Sequence, residues 1–141
     1  MKPEEQELIL KDLRISKIEW TAVDSITTLR FTFSTGQTTP QIGTHVPLRN
    51  SYTLPKGADI GKIIVGVRNG LDYIDYLAFM NKKGEMLVEF EGENQTGPKS
   101  FIELEEEEYI IGVHCTQCEK YVRGIGFYVF RPGIGIPNLQ D

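Results

Sequence analysis

Along residues 26–34 apolar and polar side chains alternate. Thr27, Leu29, Phe31 and Phe33 fall on one side, and Thr28, Arg30, Thr32 and Ser34 on the other. A period of two marks a half-buried β-strand, because successive side chains of an extended chain point to opposite faces. The rhythm returns near the far end, where Ile125, Phe127 and Val129 take the inward side and Gly124 and Gly126 leave the other face bare. Tyr128 and Phe130 then fall opposite Phe127 and are expected to form an exposed interface. Further strands are expected over 14–20, 61–67, 86–91, 99–105 and 109–115. Turn chemistry at Asn50-Ser51, Pro55-Lys56-Gly57, Asn69-Gly70 and Gly97-Pro98 separates them. Helical signals are confined to 4–11, enough for a turn or two. The single Trp20 sits on a strand and is expected in the core or on a sheet face.

The strands repeat. YIDYLAF at 73–79 is echoed by YVRGIGF at 121–127, and ITTLRF at 26–31 by IDYLAF at 74–79, each pair 48 positions apart. Ile26, Ile74 and Val122 therefore correspond, as do Leu29, Leu77 and Ile125, and Phe31, Phe79 and Phe127. ISKI at 15–18 resembles IGKI at 60–63, with a following loop three residues shorter, and Gly36 matches Gly84 in two hairpin turns. Three related units of about 48 residues share the chain. One hairpin cannot bury enough apolar surface to stand alone, whereas three sheets about a pseudo-threefold axis can share one core. The expectation is an all-β prism. A two-sheet sandwich would not account for the threefold repeat.

Composition narrows the function. The 141 residues are 40% hydrophobic and 25% charged, as in a single soluble domain with a real core. A net charge of −5 gives no electrostatic case for nucleic acid or an anionic membrane. No stretch approaches the roughly 20 apolar residues of a membrane-spanning helix. The start, MKPEEQELIL, is acidic where a secretory signal is basic, so a cytoplasmic location is expected. The run Glu105–Glu108 reads as a solvated strand end or turn. It lacks the Gly and Asn turn ligands of a calcium loop.

The segment FIELEEEEYIIGVHCTQCEKYVRGIGFYVF is similar to the last repeat of the jacalin-related lectins, and GKIIVGVRNGLDYIDYLAFMNKKGEML resembles another. The resemblance spans about residues 8–132, with 133–141 left as an extended tail of the same single domain. It implies a β-prism of three four-stranded Greek-key sheets with pseudo-threefold symmetry, and a protein that is not an enzyme. It also implies a sugar site: a Gly-x-x-x-Asp loop whose carboxylate, beside backbone N–H donors, takes adjacent hydroxyls of a mannose- or galactose-type ring without a metal.

Residue by residue, the last repeat departs from that pattern. Its Gly position is Glu119 and its Asp position is Arg123, and a guanidinium cannot accept a hydrogen bond. The first repeat has Val23 and Thr27 there. The middle repeat keeps the acid, Asp75, with Leu71 at the Gly position and Gly70 one step earlier. Asp72 offers a second acceptor, Tyr73 an aromatic face, and Asn94-Gln95-Thr96-Gly97 stands where the resemblance puts the partner loop. The expected carbohydrate-binding residues are Gly70, Asp72, Tyr73, Asp75 and Gly97. The alternative is a β-prism scaffold that has lost sugar binding and docks by its surface and its ends onto a protein partner or a further copy of itself.

Cys115 and Cys118 are the only cysteines, and His114 and His45 the only histidines. They fall short of the four ligands of a closed zinc site, so zinc would need a second chain. A redox pair would need a helix N-terminus to lower a thiol pKa. Two reduced thiols are the plainer expectation, with no metal and no cofactor. No Ser–His constellation suggests a catalytic residue, and Pro132–Pro137 is not followed by the helix and Lys of a phosphate loop.

Overall fold

The structure, a computed structural model, describes residues 13–42, 47–68, 73–92, 96–117 and 122–131. Among these are nine strands: β1 (Ile15–Ala22), β2 (Ile26–Phe33), β3 (Asn50–Thr53), β4 (Ile60–Arg68), β5 (Ile74–Asn81), β6 (Met86–Glu91), β7 (Thr96–Glu103), β8 (Tyr109–Gln117) and β9 (Val122–Phe130). The expected helical turn at 4–11 and the tail at 133–141 lie outside the described residues.

Three antiparallel hairpins, β1–β2, β4–β5 and β8–β9, form the threefold frame. Their registers correspond: Ile18 faces Phe31, Ile63 faces Phe79, and Val113 faces Phe127. Each hairpin carries two irregularities at matching places. One follows Ile15, Ile60 and Ile110, and the other lies between Thr21 and Ala22, Gly66 and Val67, and Thr116 and Gln117. A bulge bends its strand and raises the twist. The same bend in each unit lets three sheets wrap one interior.

The middle sheet has the order β6-β5-β4-β7, a Greek key. The first runs β2-β1-β3, and its fourth member is reduced to the bridges Thr32↔Thr38 and Leu29↔Ile42 on the outer side of β2. The third sheet consists of β8 and β9 among the described residues. Gly36 and Gly84 turn the chain at φ of 91° and 85°, a left-handed conformation that residues with a Cβ seldom adopt.

The repeat is realised on the axis. Phe31 and Phe79 meet edge to face with centroids 6.1 Å apart, and each meets Phe127 at 6.3 Å. Ile26, Leu29, Ile74, Leu77 and Val122 surround them in the core. Trp20 stacks on Phe90 at 4.3 Å, sealing the first sheet against the second.

Two short stretches expected as turns are strands. Asn50-Ser51 belongs to β3, where Trp20 and Glu19 of β1 pair with it. Gly97-Pro98 lies in β7, an edge strand, where Pro98 sits at a register shift opposite Gly66 and Arg68. An edge or an irregularity is where a residue without an N–H is tolerated in a sheet.

Polar ties close the end of the prism away from the starts of β2, β5 and β9. The Arg14 guanidinium lies 3.5 Å over the Tyr109 ring and pairs with Asp59 at 3.0 Å. Phe130, expected to be exposed, is instead buried against Tyr109 at 5.1 Å, while Tyr128 is exposed as expected. The acidic run does form a turn, but Glu108 is buried rather than solvated. Its carboxylate accepts the Glu105 N–H at 2.6 Å and pairs with Arg131. Lys82 from the β5–β6 turn donates to the carbonyl oxygens of Glu105 and Glu108. The Glu105 N–H, with help from Arg131, holds the Glu108 carboxyl below its ordinary range against the opposing effect of burial. A carboxyl depressed by folding stabilises the fold above its unfolded pKa, and that contribution is lost as pH falls through the folded value. Acid titration followed by circular dichroism should show Glu108→Gln less sensitive than wild type below about pH 4.3, the unperturbed glutamate value.

Candidate functional site

The starts of β2, β5 and β9 lie at one end of the prism by the threefold relation, and Thr27, Asp75 and Arg123 take equivalent places there. Their environments differ. Thr27 is buried, and its hydroxyl donates to the Thr21 carbonyl at 3.1 Å, inside its own hairpin. Arg123 is exposed. Asp75 is 0% exposed, at the start of β5.

What lies against Asp75 is Gly92, just past the end of β6. The Gly92 N–H donates to the Asp75 carbonyl at 2.8 Å. A Cβ added at Gly92 would overlap both an Asp75 carboxylate oxygen and the Asp24 carbonyl of the β1–β2 loop. The middle sheet thus meets the first unit here through a backbone contact that only glycine permits. Asp24 in turn accepts the Ser25 N–H at 3.1 Å, holding the loop in place.

Of the expected site residues, Tyr73 and Asp75 come together at the entrance to β5, and Tyr73 is half-buried. Gly97, also half-buried, lies on β7, on the far side of β4 from β5. That is two strand spacings, about 10 Å of backbone separation from Asp75. Gly70 and Asp72 lie outside the described residues, as do Leu71, residues 94–95 of the partner loop, and Glu119. Sequence reasoning missed Gly92 and Asp24. The available signal was a glycine directly after the alternating strand 86–91, where a close backbone approach is one of its usual meanings.

Among the described residues, no group of His, Cys, Asp and Glu that could hold a metal ion forms on β8. Cys115 packs against the core, while His114 is exposed on the opposite face, its ring 5.1 Å from Tyr128. Adjacent residues of a strand cannot both turn to one ion. Cys118 and His45 lie outside the described residues. Burial pushes the Cys115 thiol up to about 11 from 9.0, so at pH 8 it holds ~100-fold less thiolate than an unperturbed cysteine. In a Cys118→Ser protein, iodoacetamide labelling of Cys115 at pH 8 should run at least tenfold slower than in the urea-unfolded chain. Equal rates would show that the thiol is open.

No family model matches the sequence, and no curated protein sequence matches it. Solved structures do match in shape. Artocarpin in complex with mannotriose superposes with a TM-score of 0.66 at 16% identity, covering 84% of each chain. A prostate-specific WGA16 glycoprotein lectin gives 0.70 at 18% identity over 84% of this chain and 83% of its own. Malaysian banana lectin gives 0.67 at 21% identity over 83% of each. With the Phe31–Phe79–Phe127 axis and the Greek-key middle sheet, these matches show that the chain has the β-prism fold of the jacalin-related lectins.

Proposed function

We propose that the protein is a non-enzymatic carbohydrate-binding module that takes a mannose- or galactose-type glycan at the loop end of its middle unit. One observation carries the reading. Of three positions related by the threefold axis, only the middle one holds a carboxylate, Asp75, while Thr27 is satisfied within its own hairpin and Arg123 cannot accept. The solved neighbours support it, two of them being artocarpin in complex with mannotriose and a mannose-binding lectin from champedak. In this reading Tyr73 supplies an aromatic face, Gly70, Asp72 and Gly97 line the approach, and Asp75 forms the floor. Because Asp75 is fully buried, a hydroxyl reaches it only by displacing a neighbour. Binding is therefore expected to be weak, with dissociation constants in the millimolar range.

The same burial favours a second reading, a β-prism scaffold in which Asp75 has become part of the interior. Calorimetric titration of mannose, glucose and galactose separates the two. The lectin reading expects wild-type binding that falls at least tenfold in both Tyr73→Ala and Asp75→Ala, with Arg123→Ala unchanged. Undiminished binding by both variants moves the site away from the middle unit. Absence of binding by the wild type favours the scaffold.

A further inference from the structure

At the end of the prism away from the proposed sugar site, the first and middle units make the same turn with different side chains. In the first unit the Leu54 N–H donates to the Ser16 carbonyl at 2.9 Å and the Ala58 N–H to the Pro55 carbonyl at 3.0 Å. In the middle unit Leu104 donates to Gly61 at 2.9 Å and Glu108 to Glu105 at 3.0 Å. The strand registers agree: Lys17 faces Thr53 as Lys62 faces Glu103, and Ile15 faces Phe33 as Ile60 faces Asn81. Pro55, Lys56 and Ala58 therefore stand where Glu105, Glu106 and Glu108 do, and Ser34 stands where Lys82 does.

The middle turn holds a cation. Lys82 Nζ donates to the Glu105 carbonyl and to the Glu108 carbonyl, the latter at 2.7 Å. Burial lowers the Lys82 pKa against the pull of Asp59, Glu106 and Glu108, and Arg14 adds to the lowering. The first unit keeps the turn without the lysine. Ser34 ends in a hydroxyl that accepts the Arg14 N–H at 3.0 Å. Pro55 has no N–H, so the turn has no use for a carboxylate such as Glu108 lends to Glu105, and Ala58 stands there instead. Between Ser34 and the turn an open cleft of about 540 Å³ remains, lined also by Ile15, Leu54 and Asp59. That volume lies within the usual range of small-ligand sites.

We propose that this cleft takes a primary alkylammonium group, the end of a small amine or of a lysine side chain, held as Lys82 is held in the middle unit. The ammonium donates to the Pro55 carbonyl, whose second lone pair is open to it, and to the Ala58 carbonyl. Its alkyl chain lies against Ile15 and Leu54, and Asp59 supplies the opposite charge. Arg14 is committed to Asp59 and to the Tyr109 ring, and Lys82 already tolerates it nearby. Lys56, in the place of Glu106, opposes the ligand. Binding is therefore weak, with a millimolar dissociation constant.

Amide NMR titration with n-butylammonium tests this, with 1-butanol as the uncharged and butyrate as the anionic counterpart. Saturable shifts at Ser34, Leu54, Ala58 and Asp59 are expected with butylammonium alone. The same shifts with Nα-acetyl-lysine N-methylamide assign the cleft to a partner's lysine side chain, and their absence assigns it to a free amine. Ser34→Lys supplies the missing ammonium from within and should weaken butylammonium at least about tenfold, while Lys56→Glu should tighten it about threefold or more. Circular dichroism confirms that each variant is folded, and should Ser34→Lys not fold, Lys56→Glu alone decides. No shifts up to about 100 mM butylammonium overturn the proposal, as do equal shifts from butanol or butyrate. A folded variant whose dissociation constant does not move as stated overturns it too.

Discussion

Phe79→Ala is expected to cost about 3–5 kcal/mol, the usual range for emptying a buried aromatic site. Phe79 is 0% exposed and closes two of the three edge-to-face contacts on the axis, to Phe31 at 6.1 Å and to Phe127 at 6.3 Å. Its removal leaves a void bordered by all three hairpins, and no single loop can collapse into it without moving another sheet. A domain of this kind has roughly 5–15 kcal/mol in hand, so the loss takes a large share. Phe31→Ala should cost as much, because Phe31 is equally buried. Phe127→Ala should cost less, since Phe127 is only partly buried. Urea unfolding of the three variants would show this order, and a loss below about 1 kcal/mol for Phe79→Ala would mean the axis is not the core.

Gly92→Ala is the second large effect. Its new methyl group would meet two oxygens at once, the Asp24 carbonyl in one unit and the Asp75 carboxylate in another. Neither can be avoided by rotating the methyl, so either the β1–β2 loop or the start of β5 must shift. Overpacking of this sort costs roughly 1–3 kcal/mol. Gly124→Ala is the control, because a Cβ there would find its nearest neighbour, Thr116 Cβ, at 3.7 Å, an ordinary contact. It should change stability by less than about 0.5 kcal/mol. Equal effects of the two substitutions in urea unfolding would remove the special role given to Gly92.

The sequence reveals the prism because its repeat lies on inward-facing positions. Ile26, Leu29 and Phe31, with their counterparts 48 and 96 residues later, are held by the same axis, so the packing that selects one selects all three. What escapes the sequence depends on contacts from elsewhere in the chain. β3 is four residues of polar sequence, and it is a strand because β1 offers it an edge. Glu108 is indistinguishable in sequence from Glu105, Glu106 and Glu107, yet the turn folds it back onto the Glu105 N–H. Phe130 follows the exposed alternation of Tyr128 but finds Tyr109 to cover it. At the candidate site Tyr73 and Asp75 stand at the entrance to β5, with Asp75 fully buried. The pattern could not anticipate Gly92, whose need for a missing Cβ arises from the first unit, nor that Gly97 would lie across β4.

The proposed sugar site belongs to the middle unit. Its most direct test is a titration of isotope-labelled protein with methyl α-mannoside and methyl α-galactoside, read by amide NMR. Saturable shifts are expected, with millimolar dissociation constants for at least one sugar, centred on Tyr73, Asp75, Gly92 and Gly97. Amide spectra unchanged up to tens of millimolar of either sugar, or shifts confined to the neighbourhood of Thr27 or Arg123, would contradict it.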